Sequence, residues 1–277
     1  YFNSVEDGSR VSKGWFKVVA AEWLNYDKYN DDEDAWYYAD GSGNLYAGEF
    51  KTIKGKKYAF RNDGRMVDGL KFIKDLDGEL DVQADDSDMG HFDTEDDFLE
   101  NAPKYDEKEY YCYYFGDAED GAMKTGRTTI EIDGENFTFN FETSGSKKGR
   151  GTTGVDDDKI YQSGMLLKAG SDEKYQVVKQ DLTNETFTKL DDAEDFLDEW
   201  DLKAVSPYDV DLAALGITRK AEDIDELYII PKYEKDKYTL VNTSGKIIDR
   251  KSRNKDGNDF IYCVDASGVI KAIYTEQ

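Results

Sequence analysis

The sequence predicts an all-β fold: a solenoid of stacked β-hairpin repeats with short helical insertions. Two observations carry this. The phrase Trp36-Tyr37-Tyr38-Ala39-Asp40-Gly41-Ser42-Gly43-Asn44-Leu45-Tyr46-Ala47-Gly48 is followed by a second of the same build, Lys57-Tyr58-Ala59-Phe60-Arg61-Asn62-Asp63-Gly64-Arg65-Met66-Val67-Asp68-Gly69. Each has aromatics first, a polar turn ending in Gly, an apolar residue two places on, and a closing Gly. A chain that repeats its own units reads as an array, because each unit buries its apolar face only against its neighbours. The turn glycine then recurs as Gly43, Gly64, Gly121, Gly145, Gly164, Gly245 and Gly268, at spacings of 21, 57, 24, 19, 81 and 23 residues. Four spacings lie near one value and the other two hold a unit plus an insertion. Residues 1–277 therefore read as a single elongated array of about seven degenerate units.

Within a unit the aromatic run is a strand. Phe137, Phe139 and Phe141 alternate with polar residues, as on a strand with one buried face, and Phe260-Ile261-Tyr262-Cys263-Val264 is aromatic and β-branched. A Ser-Gly or Asp-Gly turn follows, where Gly supplies the positive φ of a tight reversal. A second short strand comes next, as in Arg65-Met66-Val67, Met165-Leu166-Leu167 and Lys246-Ile247-Ile248. An isolated hairpin is marginal in water, whereas stacked hairpins share a core.

Insertions at about 74–108 and 179–236, and a smaller one at 20–35, fall between a unit's first strand and its aromatic strand. Thr94 to Glu100 reads as a helix with Thr94 as N-cap and Asp97 at N3, stopped by Pro103. Asp192 to Trp200 reads as another, with Ala193, Phe196, Leu197 and Trp200 on one face. A helix from Ser206 to Gly216 and one from Thr218 to Leu227 complete the second insertion, before Tyr228-Ile229-Ile230 returns as a strand. The apolar stripes read as glue to the array, although insertions in repeat arrays often gather on the binding face.

Composition narrows the functions. Formal net charge is −25, from 36 Lys and Arg against 61 Asp and Glu. Nucleic-acid binding needs the opposite sign, and an anionic membrane would repel the chain. A cationic ligand is attracted, although charge of this kind first serves solubility. Hydrophobic residues make up 38% and aromatics 14%, a mix that suits thin β-layers. Cys112 and Cys263 lie several units apart and read as free, buried thiols. No run of residues is apolar and long enough to span a membrane. Tyr1 opens no signal peptide, so the chain reads as mature or trimmed.

The units resemble the cell-wall-binding repeats of Gram-positive surface proteins, choline-binding and glucan-binding. That family pattern is Gly-Trp, a linker, Trp-Tyr-Tyr-apolar, a polar turn with Gly, then an apolar residue and a closing Gly. Gly14-Trp15 with Trp36-Tyr37-Tyr38 and Gly43 matches one unit; Glu49-Phe50, Tyr58 and Phe60 stand in the next; Gly121-Ala122-Met123-Lys124-Thr125-Gly126 matches a unit ending. The match covers 14–69 and 110–126 and weakens through 127–169 and 237–274. The resemblance implies a left-handed hairpin solenoid whose aromatic cages hold choline of teichoic acid, or polysaccharide. Carried over, the cage residues are Trp15, Trp36, Tyr38, Phe50, Tyr58 and Met66. It also implies an extracellular protein at the cell surface or wall, and such repeats are often appended to a catalytic domain.

No sequence feature calls for catalysis. His91 is the one histidine, in an acidic loop, and no nucleophile elbow, phosphate loop or His-Glu-x-x-His occurs. Asp75-Leu76-Asp77-Gly78-Glu79-Leu80-Asp81 is rich in oxygens but lacks the EF-hand register. The expected function is non-catalytic binding of cell-wall choline or polysaccharide, without cofactor or metal. The alternative is a surface adhesin or spacer whose insertions bind a protein partner.

Overall fold

A computed structural model of the chain describes residues 11–83, 90–190, 193–199, 201–231, 235–249 and 253–277. It is an all-β repeat fold of small antiparallel sheets with a few short helices. The residues fall into two compact units.

The first unit holds residues 11–83, 90–91, 108–128 and 141–150. Strand β1 (Gly14–Val19) pairs with β2 (Asp34–Ala39), and helix α1 (Tyr26–Asn30) lies in their connection. Next, β3 (Glu49–Ile53) pairs with β4 (Lys56–Phe60). Strand β5 (Leu70–Asp75) then pairs with β6 (Leu80–Gln83) on one side and β7 (Tyr111–Tyr114) on the other. The three hairpins share one register: Trp15 lies opposite Tyr38, Phe50 opposite Ala59, and Leu70 opposite Tyr114. Equivalent positions can therefore be read off hairpin by hairpin. The Asp75–Asp81 run forms the β5–β6 turn, where the Asp77 backbone N–H donates to the Asp75 carboxylate at 3.2 Å.

All seven turn glycines have positive φ, from +57° at Gly121 to +98° at Gly164, as the repeat requires. The segment after the turn is the exception to the expected pattern. In the early hairpins it makes a single bridge, Ala39 with Leu45 and Phe60 with Met66, and the long hairpin is the one before the turn. The reason lies in the hydrogen bonds. Met66 N–H donates to the Trp36 carbonyl of the preceding hairpin at 2.8 Å, which ties one hairpin to the next.

The second unit holds residues 92–107, 129–140 and 151–277, within the described set. Helix α2 (Glu95–Glu107) opens it. The chain re-enters within β8 (Gly126–Ile132) and leaves at the end of β9 (Glu135–Phe141). Then come β10 (Gly154–Asp156), β11 (Lys159–Gln162) and β12 (Met165–Leu167), in a sheet ordered β10-β11-β12-β9-β8. Strand β13 (Tyr175–Asp181) is followed by β14 (Thr186–Leu190), helix α3 (Ala193–Glu199), β15 (Ile224–Ile229) and β16 (Asp236–Asn242). Strand β13 lies between β14 and β16. The last sheet runs β15-β19-β18-β17, from β17 (Asn254–Lys255), β18 (Ile261–Val264) and β19 (Ile270–Glu276).

The insertions depart from their sequence reading in three places. Thr94 caps α2 as expected, accepting the Asp97 N–H at 3.1 Å. Pro103 does not stop this helix, which continues to Glu107. Its buried stripe of Phe98, Leu99, Ala102 and Tyr105 outweighs the hydrogen bond that proline removes. Residues 206–216 form turns, not a helix. The Asp211 carboxylate accepts the Ala214 N–H at 3.1 Å, a local bond that competes with helix. Residues 218–227 hold one 3-10 turn, Ala221–Asp223, and then β15, because Ile224 and Leu227 pair with β19. The second insertion thus supplies strands β14 and β15 as well as α3. Ala193, Phe196 and Leu197 are buried in an apolar cluster with Tyr238 and Leu240. Trp200 lies outside the described residues. Cys112 and Cys263 are both buried.

Candidate functional site

The first two hairpins bring Trp15, Trp36, Tyr58 and Met66 around one cavity of about 300 Å³, completed by Lys56, Glu119 and Asp120. Trp15 comes from β1, Trp36 from β2, and Tyr58 from β4 of the next hairpin. Trp15 is the hub. Its ring centroid lies 6.4 Å from Trp36 at an interplanar angle of 88°, and 4.8 Å from Tyr58 at 62°. Near-perpendicular rings present faces and edges from several directions, the form of a cage more than of a stack. Tyr38 is buried behind Trp15 at 5.1 Å and stacks on Tyr46 at 5.3 Å, so it backs the cage without lining it. Met66 is fixed from the far side. A methyl group at Gly121 would collide with the Met66 sulfur, so this close approach needs a residue without Cβ.

Phe50 stands apart from this cavity. It packs in a second apolar cluster with Tyr113 and Phe115, at centroid distances of 5.3 and 6.5 Å. The shared register explains why: Phe50 is the counterpart of Trp15 one hairpin further on. Reading the same positions along the unit, Trp15 becomes Phe50 and then Leu70, while Trp36 becomes Lys57 and then Cys112. Among these three hairpins the full set of rings occurs at the first alone.

The rim carboxylates Glu119 and Asp120 carry no motif signal of their own, since they stand in the polar turn before Gly121. Their position depends on the turn folding back across β2. Trp36 Nε1 donates to Glu119 at 3.2 Å, and Lys17 Nζ pairs with Glu119 at 2.7 Å. Those bonds, Lys17 first and then Trp36, hold the Glu119 carboxyl below its ordinary value. The hydrogen bond from Lys124 likewise holds Asp120 down, helped by Lys56, whose Nζ lies 3.6 Å from Asp120. Both rim acids are therefore ionised at neutral pH. The lining offers ring faces, a thioether, two carboxylates and the Lys56 ammonium. Lys17 pairs with Glu119, and Lys56 and Lys124 with Asp120. Ring faces attract organic cations in general, a quaternary ammonium gaining roughly 0.5–2 kcal/mol per ring.

The second unit contributes a half-buried acid. Asp106, near the end of α2, accepts hydrogen bonds from Thr153, Gln162 and Ser163, each at 2.8 Å. Burial pushes its carboxyl up despite these donors. Gln162 in turn accepts the Phe187 N–H at 2.7 Å, so this network joins α2, β11 and β14 as a structural latch. His91 is exposed. Among the described residues no group of three or more His, Cys, Asp or Glu could hold a metal ion. No described helix is long and apolar enough to cross a membrane.

No protein-family model matches the chain, and no curated protein matches it in sequence. The solved structures that resemble it include choline-binding and cell-wall proteins of pneumococcus and its phage. Choline binding protein F from Streptococcus pneumoniae is 15% identical with a TM-score of 0.41, over 98% of this chain and 53% of that one. The modular autolysin LytC from Streptococcus pneumoniae, in complex with a synthetic peptidoglycan ligand, is 13% identical with a TM-score of 0.35, over 100% of this chain and 47% of that one. The multimodular pneumococcal endolysin from phage Cp-1, complexed with choline, is 11% identical with a TM-score of 0.25, over 90% of this chain and 41% of that one. The chain thus spans about half the length of these structures.

Proposed function

We propose that this chain is a non-catalytic binding protein of a Gram-positive cell surface, and that it holds choline groups of a cell-wall polymer. The supporting observation is the cavity of about 300 Å³ in which Trp15, Trp36, Tyr58 and Met66 meet under two ionised carboxylates. A quaternary ammonium gains from ring faces and cannot donate a hydrogen bond, so rings and distant carboxylates suit it better than a close ion pair does. The net charge of −25 acts in the same direction by raising the local concentration of cations. Titration of choline followed by tryptophan fluorescence tests the reading directly, since two of the lining rings are Trp15 and Trp36. Saturable quenching or enhancement whose midpoint moves to higher choline in Trp15→Ala supports it, and a flat response to choline contradicts it.

A second reading has its own observation. In the connection between β1 and β2, Trp23, Tyr26 and Tyr29 are 84, 61 and 48% exposed. Large aromatics in such positions mark contact surfaces. In that reading the hairpins are scaffold and this insertion meets a protein partner. Replacing all three by Ser would then abolish adhesion while leaving any choline response intact.

A further inference from the structure

The second hairpin pair repeats the architecture of the cage but not its chemistry. Met66 N–H donates to the Trp36 carbonyl at 2.8 Å, and Met123 N–H donates to the Lys57 carbonyl at 2.8 Å. Met66 packs against Gly121, and Met123 packs against Gly149 in the same manner. Phe50 takes the place of Trp15, and Tyr113 the place of Tyr58. At the position of Trp36 stands Lys57. The two residues before the clamping glycine change sign as well, from Glu119 and Asp120 to Lys147 and Lys148.

The side chains show what this exchange does. Lys57 Nζ lies 4.6 Å from the centroid of the Phe50 ring, within the range of a cation–π contact. Arg150 covers the neighbouring ring of Tyr111, with Cζ 3.7 Å from its centroid, and its Nε donates to the Tyr113 hydroxyl at 3.2 Å. No carboxylate forms an ion pair with Lys57 among the described residues. Its ammonium is partly buried beside a ring and faces two further cations. Burial is the main influence that lowers its proton affinity. Arg150 and Lys148 add to this, and Asp75 opposes it.

We infer that Lys57 is the internal ligand of a second aromatic site: it occupies the Phe50 ring face that an external organic cation would need, and so closes that site to such cations. The proposal rests on the cage reading for the first site, where the lysine over a ring, Lys17 at 6.0 Å from the Trp36 centroid, is farther off and is paired with Glu119 at 2.7 Å. Removing the ammonium and restoring a ring should open the second.

Isothermal titration with choline chloride on the whole chain, paired with NMR of the lysine side chains, tests this. The wild type is expected to bind one equivalent, with Phe50→Ala leaving that affinity unchanged. Lys57→Trp is expected to bind two, the second more weakly because Lys148 and Arg150 remain. A wild type that binds two equivalents and loses one in Phe50→Ala overturns the proposal, and so does a Lys57→Trp protein that still binds one. In the NMR arm, the ε-methylene protons of Lys57 are expected upfield of the other lysines and to return to the common position in Phe50→Ala. Unshifted resonances would overturn the proposal whatever choline does. If no variant binds choline, the reading of the first site fails, while the NMR result still decides the role of Lys57.

Discussion

Trp15 meets both of the other cage rings, and its removal should be felt most. Trp15→Ala should weaken choline binding about tenfold or more, since one ring face in a half-dry site is worth roughly 1–2 kcal/mol. Calorimetry would measure it, and an unchanged affinity would move the ligand elsewhere. Gly121 tests the support behind the cage. Its φ is +57° and a methyl there meets the Met66 sulfur, so Gly121→Ala should destabilise the first unit by about 1–3 kcal/mol in a denaturant titration. The rings Trp15, Trp36 and Tyr58 were legible in the sequence because a repeat puts equivalent residues at equivalent places. Phe50 matches the motif as well, but it stands one hairpin further on, in the cluster with Tyr113 and Phe115. Glu119 and Asp120 were not legible, since a turn across 83 residues of sequence brings Glu119 to Trp36.

The hairpins were readable because Gly turns and aromatic alternation are local signals. Their partners were not. Strands β14 and β15 arise from pairing with β13 and β19, which no local propensity announces. Helix α2 outlasts Pro103 for a similar reason, since its buried stripe and the Asp106 hydrogen bonds are both contacts with distant segments. Asp106→Ala should leave three donors without their acceptor and lower stability by about 1–3 kcal/mol, read as an earlier unfolding transition. Strand β19 carries a pH-sensitive clasp. Arg253 and Arg219 hold Glu276 down to about 2 from the usual 4.5. A depressed carboxyl stabilises the fold above its ordinary pKa and loses that effect as protons return. The wild type should therefore lose stability between about pH 5 and pH 2, and Glu276→Gln should flatten that limb in acid unfolding followed by circular dichroism.

For the molecule as a whole, the proposed choline binding would draw on field as well as contact, given the balance of −25 charges. Added salt should weaken choline binding without abolishing it, because the ring contacts are not screened. The all-β repeat character was legible from glycine spacing alone, whereas the division into two compact units was not, because insertions that donate strands redraw which residues pack together. The most direct test is thermal unfolding with increasing choline, run on the wild type and on Trp15→Ala with Trp36→Ala. A ligand that binds only the folded state stabilises it by about 2.7 kcal/mol at 100 times Kd. The wild-type melting temperature should climb with choline and the double variant's should not move. Equal shifts in both proteins, or none in either, would contradict a choline cage built on these two rings.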